Sequence, residues 1–345
     1  MARGRNTSGP VQADIARALG ISVSTISRAL ADSPHISDDV RAQVRDTATR
    51  LGYRSRRTER HNLEQIVALV ALGGATTSLS FIYQDILEGL KERSRSLAAP
   101  LEIHMRPVDD PLPDDLAANA DERVGLLFVG LDPDEAVLRH LSGRNVPMAL
   151  VNGLDPGMAT DCVAPANFFG GRMVAEHLIS RGHRRLIYVS GHARWTLMRR
   201  QHGFEAGVAE FGRGKASVAV LNVKSRQPER LVREIANFQE QARQAATAMF
   251  CSTDTIAIYA IQALQSLGLV VPNDMSVIGF DDMPMSTMIS PSLTTVRIEW
   301  REIGREAISI LQRRAATRGR SPMQVQIGGR LVVRDSVGSA RRINA

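Results

Sequence analysis

The sequence predicts two parts: a small all-α headpiece of helix-turn-helix type, then a large α/β core of two lobes, each a doubly wound parallel sheet. Three observations predict this. A pair of short amphipathic helices flanks Gly20. From Ile66 onward, apolar runs alternate with amphipathic helical stretches, the pattern of parallel strands covered by helices on both faces. The alternation continues for about 280 residues, too many for one ordinary domain sheet.

The first helix is read from Val11–Leu19, whose Ile15, Ala16 and Leu19 share one face. Gly20 supplies the turn, because glycine takes positive φ at no steric cost. Ser22 stands where an N-cap belongs, before Val23–Leu30. Val23, Ile26 and Leu30 are expected to face inward, leaving Ser24, Thr25, Ser27 and Arg28 outside. Short polar groups with one cation make a face that approaches base edges and phosphates without a steric barrier. A third helix is expected from an N-cap at Ser37 to Leu51, with Val40, Val44 and Ala48 on its inner side. Residues 1–53 thus form the headpiece. Residues 54–65 are polar, lack apolar periodicity and read as a linker.

Charge agrees with a polyanionic partner. The chain carries +7 formal charges. Residues 1–61 hold eleven arginines against six acids, so five of the seven excess charges lie there. The two cysteines, Cys162 and Cys251, suit a reduced cytosol and have neither disulfide-framework nor metal-ligand spacing. The start has no apolar h-region, and no apolar run reaches the roughly 18–20 residues of a membrane span. A cytoplasmic protein without a membrane partner is expected. No nucleophile–base pair, metal cluster or dinucleotide glycine fingerprint stands out, so neither an enzyme nor a cofactor is expected.

In the core, residues 66–345, strands are expected at Ile66–Leu72, Leu101–Met105, Val124–Val129, Val146–Val151, Leu186–Val189, Val218–Val223, Ala248–Ser252 and Ser276–Phe280. Helices are expected at Tyr83–Leu97, Asp134–Leu141, Gly170–Ser180, Gln201–Phe211, Glu229–Gln241, Thr255–Leu267 and Glu302–Arg314. Ligands of such sheets bind beyond the carboxyl ends of the strands.

From about residue 11 to 337 the chain resembles the lactose-repressor (LacI/GalR) family of transcriptional regulators. The headpiece carries Asp14-Ile15-Ala16, Gly20-Ile21-Ser22-Val23-Ser24-Thr25-Ile26-Ser27-Arg28 and Leu51-Gly52-Tyr53. The core carries Gly170-Gly171, Arg181-Gly182-His183-Arg184-Arg185, Arg200-Gln201-His202-Gly203-Phe204, Val277-Ile278-Gly279-Phe280-Asp281-Asp282 and Pro291-Ser292-Leu293-Thr294-Thr295-Val296-Arg297. The resemblance implies a periplasmic-binding-protein-like core whose chain crosses between lobes three times, placed near 163–166, 290–294 and 325–328. The N-lobe would hold about 66–164 and 293–326, and the C-lobe about 165–291 and 327–340. It also implies a homodimer on a pseudo-palindromic double-stranded operator, controlled by a small effector between the lobes.

By the same resemblance, Val23 and Ser24 fall at base-reading positions and Arg28 at a guanine or phosphate. Ser22, Thr25, Ser27 and His35 fall at backbone-contacting positions. The linker lacks the family's Pro-Asn-x-x-Ala-Arg-x-Leu hinge; Arg54, Arg56 and Arg57 would hold phosphates or enter a narrow minor groove instead. Val11 replaces the usual threonine, and Ala166 an acidic residue.

For the effector, Asp281 and Arg200 match the ligand-gripping pair. Arg194 and Thr196 share a cleft-facing loop, and Ile82 and Tyr83 fall at an apolar lid. Thr253 ends a strand. Trp195 stacks on a sugar or packs between lobes. Asp254 is expected to cap the next helix, Asp282 to be structural and His183 to be a turn residue. A sugar is the expected effector, released operator the expected response. A purine, a nucleoside or a sugar acid fits too, the last because Arg194 and Arg200 could both meet an anion. Two other functions remain open: a sensor without specific operator binding, and a co-repressor-dependent regulator.

Overall fold

A computed structural model describes residues 10–30, 33, 35–51, 53, 63–72, 78–97, 99–191, 194–224, 228–241, 246–317 and 319–340. The chain divides into two compact units, Met1–Asn62 and Leu63–Ala345.

The first unit contains α1 (Gln12–Leu19), α2 (Val23–Leu30) and α3 (Asp38–Arg50). They close on a core of Ile15, Ala16, Ile26, Ala29, Val44 and Ala48. Gly20 ends α1 at φ +66 and donates its amide to the Ala16 carbonyl. Ser22 Oγ accepts the Thr25 amide at 3.1 Å, the N-cap bond of α2. With valine at position 11, α1 keeps half of a capping box: Asp14 accepts the Val11 amide at 2.8 Å. Two local expectations are corrected. Ser37 has extended N-cap geometry but makes no side-chain cap. Val23 is 46% exposed, because Ile26 and Ala29 already fill the narrow inner stripe of an eight-residue helix.

In the second unit a six-stranded sheet has the order β11-β5-β4-β3-β1-β2. Its strands are β1 (Gln65–Ala71), β2 (Leu101–Arg106), β3 (Val124–Val129), β4 (Met148–Val151), β5 (Asp161–Pro165) and β11 (Gln324–Ile327). All its pairings are parallel. A four-stranded parallel sheet has the order β7-β6-β8-β9, from β6 (Arg185–Ser190), β7 (Ser217–Asn222), β8 (Ala248–Cys251) and β9 (Ser276–Ile278). β10 (Thr295–Ile298) and β12 (Gly329–Val332) pair antiparallel.

The helices that flank the sheets are α4 (Ser78–Arg95), α5 (Asp114–Asn119), α6 (Glu135–Gly143), α7 (Asn167–Ser180), α8 (Trp195–Gly212), α9 (Pro228–Gln241), α10 (Asp254–Ser266) and α11 (Trp300–Ala316). Gly279 donates to Thr294 and Asp281 to Val296, both at 2.9 Å. These bonds hold 294–296 beside the stretch that follows β9, and β10 then pairs with β12 apart from the second sheet.

Two helix crossings are set by glycine. A Cβ on Gly203 would meet Phe168 O at 1.9 Å, and one on Gly171 would meet Arg200 O at 2.2 Å. Only bare backbones bring α7 and α8 this close, and that contact carries Asn167 to Arg200. Gly89 and Gly304 do the same for α4 and α11.

Candidate functional site

On the headpiece, Ser22, Val23, Ser24, Ser27, Arg28 and His35 are exposed and Thr25 is half-buried. Ser22 Oγ lies 2.7 Å from Ser24 Oγ and 2.8 Å from Thr25 Oγ1, a small hydroxyl cluster at the start of α2. The Arg28 side chain forms no ion pair with any described residue. Arg54, Arg56 and Arg57, with the hinge, lie outside the described residues, as does most of the lid stretch Gly73–Ser78.

In the core, the strand ends of the two sheets meet. Arg194, preceding α8 in the second sheet's half, spans to the loops after β3 and β4. Its Nε and Nη2 donate to the Asp132 carboxylate at 2.7 and 3.0 Å, and Nη2 also donates to Asn152 O at 2.9 Å. Arg194 thus forms an inter-lobe clasp in the ligand-free core. Breaking the clasp by Asp132→Ala is expected to open the ligand-free core, read as a larger radius of gyration in X-ray solution scattering. An unchanged profile would leave the pair without a part in closure.

Deeper in the second lobe lies a buried cluster around Arg200, which is 2% exposed. Its Nε and Nη2 donate to Asn167 Oδ1 at 3.1 and 2.7 Å. Nη1 donates to Ser252 O, and the guanidinium lies 3.4 Å from the Phe280 ring centre. Asp281 Oδ1 stands 4.0 Å from Nη1. Burial pushes the Asp281 carboxyl well above the usual carboxylate range, against the pull of Arg200. Two polar atoms here are buried without a partner: Asp281 Oδ2, an acceptor, and Asn167 Nδ2, a donor. Unpaired buried groups are costly. Hydroxyls suit both atoms, since a hydroxyl can donate to the acceptor and accept from the donor.

The remaining expected residues divide. Thr196 is buried on the first turn of α8, beside the cluster in sequence, while Trp195 is 46% exposed. Ile82 and Tyr83 are buried on α4. The Tyr83 ring covers Gly130, whose added Cβ would strike its hydroxyl. Thr253, expected at the ligand, caps α10 by accepting the Ile256 amide at 3.3 Å. That corrects Asp254 as the cap; its carboxyl instead accepts from Met283, Ser286 and Thr295. Asp282 pairs with Arg297 and Arg334. His183 is held by Thr247 and Gly338, and burial lowers its pKa. Cys162 and Cys251 are free and buried.

Asp132, Asn152 and Ser252 were not expected here. Their one sequence signal is position: each directly follows an apolar strand, or stands within three residues of its end. Among the described residues no helix is long and apolar enough to cross a membrane, and no His, Cys, Asp or Glu group could hold a metal ion.

The sequence matches two family models. Bacterial regulatory proteins of the lacI family match residues 13–55, and the periplasmic-binding-protein-like domain matches residues 175–337. The HTH-type transcriptional repressor PurR of Photorhabdus laumondii is 30% identical over 335 residues, spanning 94% of this chain and 96% of that one. The HTH-type transcriptional regulator GntR of Pseudomonas aeruginosa is 27% identical over 335 residues, spanning 96% and 97%. Among solved structures, the lac repressor dimer bound to operator and the anti-inducer ONPF aligns with TM-score 0.67 at 21% identity, over 96% of this chain and 100% of that one. A complex of the transcriptional regulator CelR with cellobiose aligns with TM-score 0.68 at 22% identity, over 95% and 99%. At these identities the structures show the shared fold.

Proposed function

The chain belongs to the lacI family of bacterial regulatory proteins, and from that premise we propose that it represses its targets as a cytoplasmic homodimer on a pseudo-palindromic operator, released by a neutral effector. It is a DNA-binding transcriptional regulator, as its relatives are, and not an enzyme. The observation that carries the operator reading is the outer face of α2, where Val23, Ser24, Ser27 and Arg28 are all exposed.

Capture and sequencing of genomic fragments on the purified protein tests it. Enrichment of one palindrome is expected; no enrichment with or without cell metabolites would leave a sensor without an operator. Arg28→Ala is expected to remove about 1–3 kcal/mol of discrimination, the worth of one bidentate base contact, while sparing the effector titration. Loss of both together would sink the assignment. Asp281→Ala is expected to do the reverse.

Charge bookkeeping favours a neutral effector. Among the described residues, Arg194 is matched by Asp132 and Arg200 has Asp281 4.0 Å away, which favours a neutral effector over a carboxylate or phosphate. A sugar or a nucleobase presents the donor and acceptor that Asp281 and Asn167 need. Cellobiose in the CelR complex is such a molecule. The sugar acid, which needs both Arg194 and Arg200 free to meet an anion, is the less favoured reading. The dimer face is assigned to the edge strand β2, with Ile103 and Met105 exposed, and to the turn Pro284–Thr287 with Met285 and Met288, the latter 78% exposed. The lac repressor neighbour is itself a dimer. Sedimentation of the full chain checks this.

A further inference from the structure

Asp281 and Asp282 have φ of +121° and +55°. Side chains with a Cβ adopt such a conformation only where their surroundings impose it. Beside the Asp281 amide hydrogen bond to Val296 and the Asp282 pairs with Arg297 and Arg334, a set of restraints on the flanking residues converges on Asp254, which is fully buried. Its amide donates to Phe280 O at 2.8 Å, gripping the residue before the pair. Its Oδ2 accepts the Met283 amide at 2.8 Å, gripping the residue after it. Its Oδ1 accepts the Thr295 hydroxyl at 2.5 Å, and Thr295 Oγ1 in turn accepts the Asp282 amide at 3.4 Å. Oδ2 also takes the Ser286 hydroxyl at 2.6 Å, so the following turn is fixed with the pair. Gly279 leaves room for this: a Cβ there would lie 2.3 Å from Asp254 Oδ1.

We infer that Asp254 is a positioning residue for effector recognition, holding Asp281 in its left-handed conformation through Phe280, Met283 and Thr295. The inference rests on Asp281 being an effector ligand. Asp254 does not itself meet the effector. A carboxylate is suited to the task because it has two oxygens and no proton to place, so it accepts from three donors at once.

The test is hydrogen exchange, by mass spectrometry, of the full chain and of Thr295→Val, Thr295→Ser and Asp254→Asn. Thr295→Val removes only the hydroxyl link. It is expected to speed exchange of the Asp282 and Met283 amides at least tenfold, with β6 and β8 unchanged. Thr295→Ser restores the hydroxyl and is expected to restore protection. Asp254→Asn, which loses one acceptor oxygen, is expected to match or exceed the valine variant. Unchanged exchange at the pair in Thr295→Val, or a rise shared equally by β6 and β8, would overturn the assignment. Failure of serine to rescue would overturn it too. No effector is present, so this result is separate from the Asp281→Ala titration, which decides whether Asp281 meets one.

Discussion

Gly203→Ala is expected to destabilise the core by about 3 kcal/mol or more and to cost the effector response. The size follows from geometry: the new methyl would sit 1.9 Å from Phe168 O and 2.6 Å from its carbonyl carbon. Those atoms are backbone of α7, so no side-chain rotation relieves the clash. Overpacking of this kind costs about 1–3 kcal/mol, and more where backbone must move. The two helices that would be driven apart carry Asn167 and Arg200, so the bonds between them are lost with the spacing. Gly143→Ala is the matched control. It makes the same chemical change at the end of α6, where an added Cβ meets nothing within 4 Å, and its effect is expected within about 0.5 kcal/mol of zero. Urea denaturation of both variants measures the difference. Equal midpoints would show that the α7–α8 crossing yields freely, and that its glycines have another reason.

The alternation of strands and helices was legible because central strands of a doubly wound sheet are buried on both faces. Runs such as Gln65–Ala71 and Val124–Val129 are apolar almost throughout. The strands without a clear sequence signal, β5, β10, β11 and β12, have four or five residues each. Gln324–Ile327 alternates glutamine with apolar residues, a pattern that does not separate an edge strand from a loop. Asp281 and Arg200 could be singled out from their motifs, though nothing local says that they face each other. The clasp was illegible for the same reason. Asp132 and Arg194 are 62 positions apart, and only the meeting of two sheets' strand ends pairs them. Val23 shows the opposite limit: helical periodicity marks it as core, but a helix this short fills its inner stripe with Ile26, Ala29 and the half-buried Leu30.

Arg200→Ala is expected to cost about 3–5 kcal/mol, because it leaves a buried carboxyl and a buried amide without their partner. Asn167 Oδ1 loses two donors and Ser252 O loses one, while Asp281 loses the cation that opposes its desolvation. The deficit has a pH signature. Asp281 already titrates above the usual carboxylate range because it is buried, and burial raises neighbouring Asp254 to about 6. A carboxyl raised in the folded state favours folding below its unfolded value, and that advantage is lost as pH rises through the folded value. Removing Arg200 raises both groups further, so the variant's deficit should be larger at pH 8 than at pH 5. Arg200→Lys is expected to repair little, since one ammonium cannot bridge Asn167 and Ser252 while lying flat on Phe280. Urea denaturation at the two pH values reads the deficit, and an operator titration of the folded variant reads the headpiece, which should be spared. A deficit independent of pH would mean that the cation and the two carboxyls are not coupled, and would remove the electrostatic basis for placing the effector there.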